Sequence, residues 1–230
     1  MDSIVGHYAV GNYVTGSRDP FGLRRAALGI INIILENGID VDIKKLISEA
    51  LLVYTETNAL SFDYDKTIEE TLSFIKDRLK NKLLDDGYRY DIVNSVINTE
   101  FTNILKMTEK IKAISDFIEE NDDSLSYLIR IQNLAKDSEK IEIREDLLET
   151  DLEKKFYEEI TKLPEIGLGS SADYKKELEN IQATSLTGND YLDNTMINVE
   201  DEEVKSNRLA MLNLLKERMD QIFDISEIVR

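Results

Sequence analysis

An all-α helical bundle is the fold this sequence predicts. Three observations carry that expectation. Apolar residues recur at helical spacing, no segment alternates apolar and polar for long enough to make a strand, and 2 Pro and 10 Gly in 230 residues leave too few turns for a β-sandwich. Hydrophobic residues make up 42% of the chain, enough to build a core. The length corresponds to one large or two small domains.

The elements follow in order. Pro20 suits a first helical turn, and the segment from Phe21 to Glu36 ends at Asn37-Gly38, a C-cap pair. Asp40 or Asp42 can cap a second helix running to about Thr55, and Asp65 is expected to cap a third. In that third helix Ile68, Leu72, Ile75, Leu79 and Leu83 recur at +4, +3, +4 and +4, and Gly87 ends it. A short helix is predicted from Tyr90 to Ile97, and longer ones over 102–120 and 124–137. Thr150-Asp151-Leu152-Glu153 fits a capping box before a helix that stops at Pro164. Ser171 starts the next, and Gly188 is expected to separate it from a short one. The last helix is the clearest, with Met211, Leu215, Met219 and Ile222 at +4, +4 and +3. Ile141-Glu142-Ile143 alternates over too few residues for a strand. Long loops are expected over 56–64 and 167–171. Residues 1–19 carry Gly6, Gly11 and Gly16 and scattered apolar residues without an evident buried partner, which is the look of a cut made inside a larger polypeptide.

Charge and composition exclude several functions. Against 46 acidic residues stand 28 Lys and Arg, a net charge of −18 that argues against general polyphosphate binding but leaves room for a local basic island. The chain has no Cys and a single His, His7, so disulfide scaffolds, thiolate zinc sites and His-cluster metal sites are out of reach. The start Met1-Asp2-Ser3 lacks the basic onset of a secretion signal, and the apolar run 26–35 is too short to span a bilayer. A cytoplasmic protein with no membrane partner is the expectation.

No catalytic constellation emerges. Gly6 and Gly11 have phosphate-loop spacing, but Asn12 and Tyr13 stand where Lys and Ser/Thr are needed. The glycines at 167 and 169 read as a turn. Asp85-Asp86, Asp122-Asp123 and the acids at 200–203 read as solvated or capping groups. What remains is cationic and amide chemistry. Arg24 and Arg25 follow Ser17 and Asp19, either of which can cap the helix; the arginines either pair with Asp19 or face an anionic partner. Asn207 and Arg208 extend the apolar stripe of the last helix backwards. They form either a buried hydrogen-bonded pair closing the bundle or a polar cleft offering an amide and a guanidinium to a ligand. Arg130 and Asn133 share a helix face, Lys205 adds to a basic window at 204–218, and Lys106, Lys110 and Lys112 make another. Tyr88-Arg89-Tyr90 sets two rings beside a cation, a platform on which unpaired bases can stack.

Four stretches resemble one family. TGSRDPFGLRRAALGIINII at 15–34 is similar to TGSKDPFALRRAALGVLRI of the beta subunit of bacterial heterotetrameric glycyl-tRNA synthetase, with Arg18 for Lys and Gly22 for Ala. GYRYDIVNSV at 87–96 resembles its GxRYDVIDAV, and YLDNTMINVEDEEVKSNRLAML at 191–212 its FFDNVMVMVEDEALRNNRLALL, with Thr195 for an apolar residue. Arg130 to Leu134 resembles its RVxNI. The resemblance implies the C-terminal part of that subunit: residues 1–36 as the truncated end of an HD-like helical domain, and residues 37–230 as a DALR-type anticodon-binding bundle. It further implies that the alpha subunit of an α2β2 tetramer activates glycine with ATP and magnesium, so this segment holds glycine tRNA and carries no cofactor. On that basis Arg130, Lys205 and Arg208 are expected at phosphates or base edges, Asn133 and Asn207 at bases, and Tyr88 or Tyr90, beside Arg89, as a stacking face. Arg24 and Arg25 are expected to knit the two domains or touch the tRNA body. The rival expectation is an acidic interaction module that touches no RNA.

Overall fold

In the computed structural model, residues 1–15, 18–56, 61–99, 101–136, 141–165 and 170–229 are described. Among them every regular element is helical; an isolated bridge between Thr15 and Arg18 is the nearest approach to a strand. The all-α expectation holds. Contacts group the chain into two compact units, Met1–Glu109 and Lys110–Arg230.

The first unit is built on α4 (Tyr64–Asp85). Its apolar stripe buries Ile68, Ile75, Leu79 and Leu83 of the face expected from the spacing, with Leu72 half-buried at its margin. Around it pack α1 (Asp2–Ala9), α2 (Leu23–Glu36), α3 (Ile43–Glu56) and α5 (Tyr90–Ile97). The helix is capped by Asp63, whose carboxylate accepts the Lys66 amide, and not by Asp65, which lies in its first turn. The opening residues also differ from expectation. They form a helix whose Ile4, Val5 and Tyr8 are buried, so the missing partner is supplied by tertiary contact with α3 and α4. Helix α2 starts at Leu23, three residues after Pro20, because Gly22 takes a left-handed turn (φ 67°) there. Asp19 reaches over that turn and accepts the amides of Leu23 and Arg24 at 2.8 and 3.0 Å. The Ser17 alternative lies outside the described residues, as does the turn at 167–169.

The second unit centres on α7 (Asp122–Ala135) against α11 (Glu202–Asp220), with α8 (Asp151–Thr161), α9 (Ser171–Ala183) and α10 (Ser185–Asn194) around them. Helix α6 (Ile104–Glu120) runs across the division in the chain. Ile131, Phe156, Tyr191, Met211, Leu215 and Met219 are buried in this core, and each such side chain contributes roughly 1.5–3 kcal/mol. The capping box at Thr150 and Glu153 forms as expected. Gly188 does not separate two helices. The break falls at Thr184, and Gly188 lies inside α10, where any Cβ would collide with the Tyr127 hydroxyl.

Candidate nucleic-acid interface

Helix α11 begins where Asp201 accepts the amides of Glu203 and Val204. One turn further, Asn207 and Arg208 face the interior. Asn207 is 2% exposed. Its Nδ2 donates to the Arg144 carbonyl at 3.0 Å, and its Oδ1 accepts the Arg144 amide at 2.8 Å, tying the segment before α8 to α11. Each nitrogen of the Arg208 guanidinium donates to a protein oxygen: Nε to Glu153 at 2.6 Å, Nη2 to Glu149 at 2.7 Å and Nη1 to the Met196 carbonyl at 3.0 Å. Glu153 is fully buried, and its second oxygen accepts the Thr150 amide at 2.7 Å. Burial by itself raises such a carboxyl. The Arg208 and Thr150 hydrogen bonds and the Arg208 charge outweigh it and hold Glu153 below the usual range. The cleft reading of Asn207 and Arg208 is thereby corrected: their donors and acceptors are turned onto the protein, and together they close the bundle.

Arg130 and Asn133 are placed differently. Both lie on the outer face of α7 and line a groove of about 500 Å³ with Leu192, Thr195 and Asn198. The Arg130 side chain stays 45% exposed while Nη1 meets Asp193 at 2.5 Å and Nη2 donates to the Leu192 carbonyl at 2.9 Å. Asn133 is exposed, and Met196 on the groove wall is strongly exposed. A half-exposed guanidinium and an exposed amide thus line one groove together with apolar side chains. That suits a phosphate beside an unstacked base. Lys205, half-buried at the start of α11, is held by Glu202 at 3.2 Å.

The remaining candidates belong to the first unit. Arg89 clasps Asp91 through two bonds, Nε to Oδ1 at 3.1 Å and Nη2 to Oδ2 at 2.5 Å. Asp91 is buried, so this clasp fixes the entry to α5. Tyr88 is half-buried, whereas Tyr90 is 58% exposed and offers a ring face. Arg24 is half-buried and Arg25 exposed at the start of α2. Burial nudges the Asp19 carboxyl upward, but the Arg24 and Leu23 amides and the two nearby arginines hold it low. Asp19 thus serves the backbone as a cap.

Several cations of the basic windows are taken up by partners within the fold. Lys106 meets Asp40 at 3.1 Å, Lys216 meets Asp220 at 2.6 Å, and Arg218 meets Glu177 at 2.6 Å while donating to the carbonyls of Leu163 and Pro164. Lys110 donates to the Gln221 carbonyl and lies 5.2 Å over the Tyr174 ring. Sequence reasoning did not single out Asp193, Glu153 or Arg144. The capping box signalled Glu153; nothing local signalled the other two.

Residues 1–98 match the family model described as glycyl-tRNA synthetase beta subunit. The whole chain aligns with the glycine–tRNA ligase beta subunit of Clostridioides difficile at 34% identity and with that of Desulforamulus reducens at 35%, and 98% of it aligns with that of Klebsiella pneumoniae at 31%. Its homologues are glycine–tRNA ligase beta subunits, and theirs is the family it matches. The chain spans about a third of the length of these relatives, 33% of the first and 34% of the second. Within the beta-subunit family match lie α1 to α5, including the Arg89–Asp91 clasp. No helix among the described residues is long and apolar enough to cross a membrane.

Proposed function

We propose that this chain serves as the C-terminal, tRNA-holding part of a glycine–tRNA ligase beta subunit, and that it grips the anticodon loop of glycine tRNA on the outer face of α7. Aminoacylation of glycine tRNA, with ATP and magnesium used by an alpha subunit in an α2β2 enzyme, belongs to the assembly as a whole. The observation that carries the reading is the open groove beside Arg130 and Asn133, in a chain that aligns over its length with beta subunits. A loop offers unstacked bases and phosphates at close range, and a guanidinium with a neighbouring amide matches both. Lys205 adds a phosphate contact, and Tyr90, in the first unit, offers a stacking face of its own. Arg24 and Arg25 contact the tRNA body. Asn207 and Arg208 act indirectly, by holding the scaffold that presents α7.

Two observations favour a second reading. The net charge of −18 and the internal pairing of Arg208, Arg218 and Lys216 suit a module that docks protein and touches no RNA. Binding of glycine tRNA transcripts separates the two. Under the anticodon reading, changing one anticodon base weakens binding by about 1–3 kcal/mol, the magnitude of a base-specific contact. Equal affinity for every anticodon removes that reading, and no binding at all leaves the protein-only module.

A further inference from the structure

Among the described residues that line the groove on α7, Arg130 alone is charged. Its guanidinium has two acceptors. Nη2 donates to the Leu192 carbonyl at 2.9 Å, and Nη1 donates to the Asp193 carboxylate at 2.5 Å. The two acceptors do different work. Leu192 lies in the last turn of α10, where backbone carbonyls lack partners inside the helix, so its carbonyl gains a donor and anchors the guanidinium. Asp193 follows it, one residue short of the helix end. A carboxylate at that place opposes the negative end of the helix dipole. The Asp193 side chain is 64% exposed and accepts no other hydrogen bond among the described residues. A pair so exposed contributes little to stability. Asp193 is therefore poorly placed to hold the fold. What it does is cancel the one positive charge of the groove.

We propose that Asp193 stands where a ligand phosphate binds Arg130 and acts as a built-in competitor for RNA. The inference rests on the RNA reading of the groove. An RNA phosphate and Asp193 cannot both pair fully with Nη1, so the phosphate enters as the carboxylate leaves. Arg130 keeps its anchor on the Leu192 carbonyl through the exchange, and Asp193 recaptures Nη1 when the RNA departs. The exchange costs every RNA the same. It leaves the ratio of affinities between anticodons unchanged and lowers the amount of RNA of any sequence that the groove retains.

The test is filter binding of a glycine tRNA transcript to the 230-residue chain, to Asp193→Asn, to Arg130→Ala and to the double variant, over a range of salt concentrations. Asp193→Asn is expected to bind about two- to fivefold tighter, the reach of an exposed ion pair. Its salt dependence is expected to be steeper, because no freed carboxylate takes up a cation as the RNA releases one. A transcript with an altered anticodon base is expected to gain by the same factor. In the Arg130→Ala background the second substitution is expected to change nothing, since the competitor then has no cation to occupy. Equal tightening in that background overturns the inference, because general charge repulsion explains it. Unchanged or weaker binding by Asp193→Asn, with Arg130→Ala also weakened, overturns the inference and leaves the groove reading standing: Asp193 then only orients Arg130. If Arg130→Ala binds as the parent does, or no form binds, both fall together.

Discussion

Arg208 and Arg130 invite comparison, because both are arginines on long helices of the same unit and both meet a carboxylate. Arg208 meets Glu153, which is wholly buried, and all three of its nitrogens are used. Arg130 meets Asp193, whose side chain is mostly solvated, and keeps an open edge on a groove. The difference is one of solvent access. A desolvated ion pair resists rearrangement, because breaking it strands a charge in a low-dielectric interior. An exposed pair contributes about 0–1 kcal/mol and exchanges its partner for a phosphate at little cost.

The comparison breaks most visibly at Arg208. Arg208→Ala leaves Glu153 buried without its partner and is expected to cost about 3–5 kcal/mol in urea unfolding. A loss below about 1 kcal/mol would mean that the pair is solvated and the contrast with Arg130 is lost. Acid probes the same lock more gently. The folded Glu153 carboxyl is depressed, so its contribution is complete above its unfolded value near 4.5 and fades as pH falls through the lower folded value. The melting temperature of Glu153→Gln is therefore expected to depend less on pH than that of the parent below about pH 4.5.

Gly188→Ala tests the packing that supports both arginines. The added methyl meets the buried Tyr127 ring, and a destabilisation of about 1–3 kcal/mol is expected by thermal unfolding. Gly29→Ala is the counterpart in open space. The methyl meets nothing, so the isolated chain gains up to about 1 kcal/mol from helix propensity. The smallest effect on stability belongs to Arg130→Ala, within about 0.5 kcal/mol. Its consequence is expected in RNA binding instead, as weaker affinity for glycine tRNA and a shallower salt dependence by filter binding. Unchanged affinity would place the RNA contact elsewhere.

Much of the fold could be read directly from residue order. The stripe of α4, the capping box at Thr150 and the extent of α5 are local features, encoded within one or two helical turns. The misplaced boundaries have local causes too: Asp19 caps across a left-handed Gly22, and Asp63 outcompetes Asp65 two residues later. Gly188 misled for another reason. Its smallness serves Tyr127, 61 positions away in the chain, rather than the backbone of its own helix. Two of the basic windows misled in the same manner, since Asp40 comes from the connection before α3 and Glu177 from α9.

Residue order by itself determined the all-α class, the helix periods, the absence of thiol or His-cluster chemistry and the family resemblance, because composition, spacing and short motifs are properties of neighbours along the chain. Tertiary structure alone decided which cations remain on the surface. Whether a guanidinium holds the fold or stays available to a ligand depends on which carboxylates and carbonyls the packing brings to it and on how much water it leaves there. For Arg208 and Arg130 those partners lie 55 and 63 residues away in sequence.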